Sequence, residues 1–174
     1  HNYFETWSER PVEDIDDHIL KMTDVIRQYG NRQPLWMAEV GYSTFRQGSK
    51  ISSEYTAYYD YEHTPEYQAV DLFKRLALIV STEKISAVAW YEISDLPPSD
   101  EVIGDEYNNR HLGVAFVNYV PKPARKALMF FNSLFGDEYR NITGQAAITR
   151  PENSDSHALV FEKVDGSVVI VSWL

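Results

Sequence analysis

The run Pro34-Leu35-Trp36-Met37-Ala38-Glu39-Val40-Gly41 indicates how this chain is expected to fold. Its apolar residues predict a short buried strand that carries one carboxylate near its end. A second run of this kind, from Ile85 to Tyr91, predicts another buried strand. Between the two, Thr64-Pro65-Glu66 opens a predicted helix, because threonine is a good N-cap and proline is favoured at the first helical position. Strand, helix and strand in this order predict parallel strands joined by a helical crossover.

The same alternation extends in both directions along the chain. Residues 1–4 read as the end of a strand, and residues 12–29 have apolar side chains at helical spacing. After a long loop from Glu92 to about Val120, a further helical pattern ends at Gly136. The whole order predicts an α/β fold with parallel strands.

The pattern changes near residue 139. The segments 158–164 and 167–173 are strand-like, and Asp165-Gly166 between them suits a hairpin turn. We therefore predict that residues 1–138 form the α/β part and that residues 139–174 supply the strands of a separate, sandwich-like β-domain.

The composition excludes several classes of function. With 44% apolar and 24% charged residues, the 174-residue chain is typical of a globular protein, and no apolar run is long enough for a membrane span. Sixteen basic against 26 acidic residues give a net charge of −10, which disfavours nucleic-acid binding. No cysteine, metal-binding motif or phosphate-binding loop is present, so no metal or cofactor is expected. The oligomeric state stays open, as does the compartment, for which a secreted or periplasmic location is favoured over the cytoplasm.

Candidate site residues follow from the ends of the predicted strands, where active sites of parallel α/β folds lie. The first strand brings His1 and Tyr3 to this rim, the second brings Glu39, and the third brings Trp90. Trp7, just past the first strand, is a further candidate for substrate binding. Each aromatic or histidine side chain could instead be packed in a core, and Glu39 could instead bind loop amides.

Strict alternation of strand side chains also predicts which residues face the rim. Met37 should share the face of Glu39, and Val88 should share the face of Trp90. The side chains expected to point the other way, toward the helices, are Trp36, Ala38, Val40, Ala87 and Ala89.

These motifs resemble clan A of the retaining glycoside hydrolases, which are (β/α)8 TIM barrels. His1-Asn2-Tyr3 is similar to the His-x-Tyr that ends their sixth strand, and Trp36 to Gly41 is similar to the seventh-strand segment that carries their nucleophile. Ala89-Trp90-Tyr91 resembles the eighth strand, whose tryptophan lines the sugar site. Leu112-Gly113 and Pro121-Lys122-Pro123-Ala124 resemble the lead-in to the last helix.

The resemblance implies that residues 1–138 are the C-terminal part of a (β/α)8 catalytic barrel and that an accessory β-domain follows. It also implies that Glu39 attacks the anomeric carbon of a carbohydrate substrate. In these roles Tyr3 would hydrogen-bond Glu39, His1 would contact the substrate or that carboxylate, and Trp90 would stack under the sugar. The acid/base of this clan is a glutamate after an asparagine on the fourth strand, a part of the barrel that this chain does not contain. We therefore expect the isolated chain to be inactive.

Two alternatives stay open. The parent could be a non-catalytic carbohydrate-binding protein on the same barrel, in which case no Asn-Glu pair would end the fourth strand. It could also be an unrelated α/β enzyme that uses Glu39 as a general base.

Overall fold

A computed structural model of the protein describes residues 11–31, 33–45, 63–98, 109–136, 138–149 and 155–174. The helices are α1 (Ile15–Tyr29), α2 (Pro65–Ser81) and α3 (Pro123–Phe135), with 3-10 turns at Val12–Asp14 and Thr143–Gln145. The strands are β1 (Leu35–Val40), β2 (Ile85–Trp90), β3 (Tyr139–Asn141), β4 (His157–Lys163) and β5 (Val168–Trp173). The strand predicted at residues 1–4 lies outside the described residues.

The predicted parallel pair is confirmed. β1 pairs with β2 in parallel, and α2 makes the crossover between them. Thr64 caps α2 through its side-chain oxygen, which accepts from Tyr67 N at 3.2 Å, and Pro65 takes the first helical position. The mixed α/β architecture predicted from the order of elements is therefore present.

The register between β1 and β2 is irregular, and this irregularity corrects the predicted facing of their side chains. Shifts fall between Leu35 and Trp36 and between Met37 and Val40, so strict alternation does not hold along β1. Three pairs contribute to the buried hydrophobic core that the strands share with the helices, here called the core cluster. These pairs are Leu35 with Ile85, Met37 with Val88, and Val40 with Trp90.

The opposite face of this pair is open. Trp36, paired with Ala87, is 67% exposed, and Ala89 is exposed as well. The prediction that Trp36, Ala87 and Ala89 point toward the helices is therefore wrong, and so is the prediction that Met37 and Val88 face the rim. The larger apolar side chains of β2 pack under the helices, whereas the alanines of β2 lie on the open face.

The antiparallel sheet β3-β4-β5 packs on the helices and shares their core. Phe161 of β4 is fully buried and contacts the ring of Phe135 of α3 edge-on, with 4.9 Å between the ring centroids. Val171 of β5 belongs to the same cluster as Leu72 and Phe131 of the helices. The hairpin turn predicted at Asp165-Gly166 is present, with Gly166 at a φ of +82°. The predicted boundary near residue 139 marks a change of architecture, but the described residues on its two sides share one core.

No helix in the described part of the chain is long and apolar enough to cross a membrane.

Candidate active site

Glu39 lies at the end of β1, where the parallel strands give way to loops. Val40, the next residue, is fully buried in the core and pairs with Trp90 of β2. Glu39 is half-buried and lies in the interval from Met37 to Val40, where the register with β2 shifts. The predicted direction of the Glu39 side chain, toward the rim and opposite Val40, therefore stays a prediction.

The aromatic residue beside Glu39 is Tyr91, which the sequence analysis did not single out. Backbone N–H of Tyr91 donates to Val40 O at 2.8 Å, which fixes the two strand ends side by side. Burial, followed by the negative charges of Glu92 and Glu39, raises the pKa of the Tyr91 hydroxyl. The Tyr91 hydroxyl therefore lies close enough to both carboxylates to sense their charge.

Trp90, at the end of β2, is a partly buried packing residue. It packs against the core cluster together with its partner Val40, and its indole nitrogen is buried without a hydrogen-bond partner among the described residues. Trp90 thus lies with Val40 on the packed side of the strand pair, and its predicted place on the face of Glu39 stays a prediction. Its predicted role in sugar stacking stays a prediction.

Glu92 adds a second carboxyl group to this rim. Its backbone is held on both sides, since Glu92 N donates to Leu112 O at 3.2 Å and Val114 N donates to Glu92 O at 2.9 Å. Burial, followed by the charge of Asp95, raises the pKa of the Glu92 carboxyl to about 7, whereas its hydrogen bond with Tyr91 and the charge of Lys122 oppose the rise. Glu92 therefore changes its charge near neutral pH.

A buried polar network supports the loops behind this rim. The Lys122 side chain is fully buried, and its Nζ donates to Asp95 Oδ1 at 2.6 Å and to Thr44 Oγ1 at 2.9 Å. Burial lowers the pKa of the Lys122 ammonium, and the nearby charges of Asp95 and Glu92 counteract this effect. His111 contributes Nδ1 at 3.8 Å from Asp95 Oδ2. Lys122 thus joins the loop after β1 to the loop after β2.

Gln68 of α2 makes a second tie between the same two loops. Its Nε2 donates to the carbonyls of Tyr42, Leu112 and Gly113, at distances of 2.8, 3.2 and 3.1 Å. The chain passes very close to Asp95 at Gly113, where a Cβ would lie 2.2 Å from Asp95 N. Only glycine fits this approach.

Tyr42, in the loop after β1, is a packing residue. It is fully buried, and its ring stacks on that of His63 with 4.9 Å between centroids. Three other candidates, His1, Tyr3 and Trp7, lie outside the described residues, so their predicted roles stay predictions. Within the described ranges, no group of acidic and histidine side chains could hold a metal ion.

Sequence reasoning missed Tyr91, Lys122 and Gln68. Tyr91 was missed because an alternating strand places it on the far side from Trp90, which the sequence assigned to the rim. Lys122 belongs to the Pro121-Lys122-Pro123-Ala124 motif. Its position directly before Pro123, where α3 starts, is the signal that could have marked it as a site residue. No pattern in the sequence marks Gln68 as a tie between loops.

Neither a protein-family model nor a curated protein sequence matches this chain. Solved structures do match it. A GH2 β-galacturonidase from Eisenbergiella tayi bound to galacturonate has a TM-score of 0.59 and 20% identity, over 78% of this chain and 23% of that one. A family 39 glycoside hydrolase from Bacteroides cellulosilyticus has a TM-score of 0.59 and 14% identity, over 89% of this chain and 27% of that one.

A GH5_18 variant from Bifidobacterium longum subsp. longum in complex with Manβ1-4GlcNAc has a TM-score of 0.54 and 14% identity, over 78% of this chain and 29% of that one. At such identities the likeness shows the fold alone. The chain has a glycoside hydrolase-like α/β fold, and it spans less than a third of the length of these three structures.

Proposed function

We propose that this chain is part of a retaining glycoside hydrolase that cleaves a β-glycosidic bond, with Glu39 as the nucleophile. In this proposal residues 1–138 contribute the last three strands of a (β/α)8 barrel. The observation that carries the proposal is the position of Glu39 near the C-terminal end of a parallel strand, one residue before the Val40 carbonyl that accepts from Tyr91 N. A carboxylate in this position is costly unless it is hydrogen-bonded or serves a function.

The chemistry requires a second carboxyl group about 5–5.5 Å from the first, to protonate the leaving oxygen and then activate water. We place this acid/base outside the chain, on the fourth strand of the barrel. The isolated chain should therefore give no turnover of aryl β-glycosides above buffer, and turnover comparable to that of the full-length protein would contradict this division of roles.

The similar structures do not indicate which sugar is bound. One contains galacturonate, an acid, and another contains Manβ1-4GlcNAc, which is neutral.

The decisive experiment traps the nucleophile in the full-length protein. A 2-fluoro glycoside should leave a covalent sugar on the peptide that contains Glu39, detected by mass spectrometry. Glu39→Gln should abolish both the label and turnover, whereas Glu66→Gln, a change at an exposed position of α2, should preserve both. A label on another carboxylate, or carbohydrate binding without any label, would refute the proposed mechanism. The second result would favour the carbohydrate-binding alternative.

A further inference from the structure

The segment that follows Glu39 is a loop, yet it is buried. All residues from 40 to 45 are buried, and Tyr42, Ser43 and Thr44 are 0% exposed. Most loops run over the surface, because water then binds their backbone N–H and C=O groups. This segment must obtain its hydrogen bonds from groups that are buried with it.

Buried side chains from three other parts of the chain provide these bonds. They bind consecutive residues of the segment, and the pairs are Gln68 Nε2 with Tyr42 O at 2.8 Å, His63 Nδ1 with Ser43 O at 2.9 Å and Lys122 Nζ with Thr44 Oγ1 at 2.9 Å. Because a carbonyl oxygen only accepts, Nδ1 of His63 carries a proton and donates it to this bond. The segment is thus held at each residue from 42 to 44.

His63 holds the segment in a second way, through its ring. The imidazole stacks on Tyr42, with 4.9 Å between the ring centroids and 11° between the planes, and its centroid lies 4.2 Å from that of Phe45. Gln68 Nε2 also donates to Leu112 O at 3.2 Å and so joins the segment to the loop after β2. Both side chains therefore fix where the segment lies relative to its surroundings.

The buried segment and Glu39 belong to one short stretch of backbone. Val40, between them, is held by the hydrogen bond from Tyr91 N to its carbonyl at 2.8 Å. We propose, on the basis of the glycosidase function proposed above, that His63 and Gln68 are positioning residues for Glu39. They act through the intervening backbone, and neither contacts the reacting bond. An error of ~1 Å in the place of a reacting group can lower the rate ~100-fold, so the loss of either hydrogen bond should slow the chemical step.

The test measures how fast a 2-fluoro glycoside labels Glu39 in variants of the full-length protein. His63→Phe retains a ring against Tyr42 but removes the donor to Ser43 O, whereas His63→Asn removes the ring and retains an N–H donor at the place of Nδ1. We expect the labelling rate and kcat to fall at least ~10-fold in His63→Phe, with KM within ~3-fold of its native value. His63→Asn should recover most of this loss, and Gln68→Met, which removes the donor to Tyr42 O, should behave as His63→Phe does.

A stability control separates positioning from a purely structural role. Val171→Ala removes buried carbon atoms from β5 of the antiparallel sheet, so it should lower the free energy of unfolding without changing the labelling rate. All rates are measured at a temperature at which urea denaturation shows each variant to be folded.

Each outcome decides the proposal. It is overturned if His63→Phe and Gln68→Met label at the native rate, if Val171→Ala labels as slowly as they do, or if His63→Asn is no faster than His63→Phe. If His63→Phe does not fold, Gln68→Met is compared with Val171→Ala in its place. Failure of both to fold assigns these side chains to the fold alone and also overturns the proposal. If Glu39 is labelled in the native protein and at the same rate in the variants, the glycosidase function stands and only the positioning role fails. If no label forms on Glu39 in the native protein, both proposals fall.

Discussion

Replacing Lys122 by methionine tests whether the buried network holds the rim together. The Lys122 side chain is fully buried and that of Asp95 is 4% exposed, with 2.6 Å between Nζ and Oδ1. Methionine fills much of the same volume but leaves Asp95 with the N–H of Gly113, at 3.0 Å, as its remaining bond in this network. Removing one partner of a buried pair leaves an uncompensated charge, so we expect the free energy of unfolding to fall by about 3–5 kcal/mol.

The assay is urea denaturation at pH 7 followed by tryptophan fluorescence. Lys126→Met, at an exposed position of α3, is the matched control and should change the free energy of unfolding by less than ~0.5 kcal/mol. The double variant Lys122→Met with Asp95→Asn removes both charges and should recover more than half of the loss. A loss below ~1 kcal/mol for Lys122→Met, or a double variant no more stable than that single variant, would refute the reasoning.

Three further predictions concern stability. Because the pKa of Glu92 is raised from 4.5 to about 7 in the folded state, its contribution to stability is fully present below pH 4.5 and is lost as the pH rises through about 7. In Glu92→Gln the free energy of unfolding should change by ~1 kcal/mol less across this pH range, a figure reduced for the partial exposure of Glu92. An unchanged pH dependence would count against the raised pKa. Phe161→Ala should cost about 3–5 kcal/mol because it opens a cavity between sheet and helices, whereas Ile170→Ala, at a residue 66% exposed, should cost less than ~1 kcal/mol; similar losses would contradict the shared core. Gly113→Ala should lower the melting temperature because its Cβ would lie 2.2 Å from Asp95 N, whereas Gly144→Ala, with no atom within 4 Å of the added carbon, should be tolerated.

The order of secondary-structure elements could be predicted from the sequence because each boundary has a local chemical signal. Thr64 and Pro65 set the start of α2, and the first helical position of α3 is again a proline, Pro123. The apolar run from Leu35 to Val40 gave the extent of β1 as the structure has it. These signals depend on neighbours within a few residues, so they can be read without knowledge of the tertiary structure.

The faces of the strands could not be predicted in the same way. A register shift depends on the partner strand, and it reverses the face of every residue beyond it. Trp90 was assigned to the rim for this reason, although the structure packs it with Val40 against the core. The direction of the Glu39 side chain stays a prediction, because a register shift falls between Met37 and Val40.

The hydrogen bonds of this chain suffice to position the Glu39 rim relative to Tyr91. Val40 O binds Tyr91 N, Gln68 binds the loops that follow both strands, and Lys122 joins Thr44 to Asp95. Each of these contacts lies within the described residues, and none depends on a substrate. A site whose polar groups are fixed before binding loses less free energy when the transition state forms, because little reorganisation is needed. The part of a barrel that we assign to this chain would thus present a preorganised nucleophile and its neighbouring aromatic group, while the acid/base and most sugar contacts would come from strands outside it.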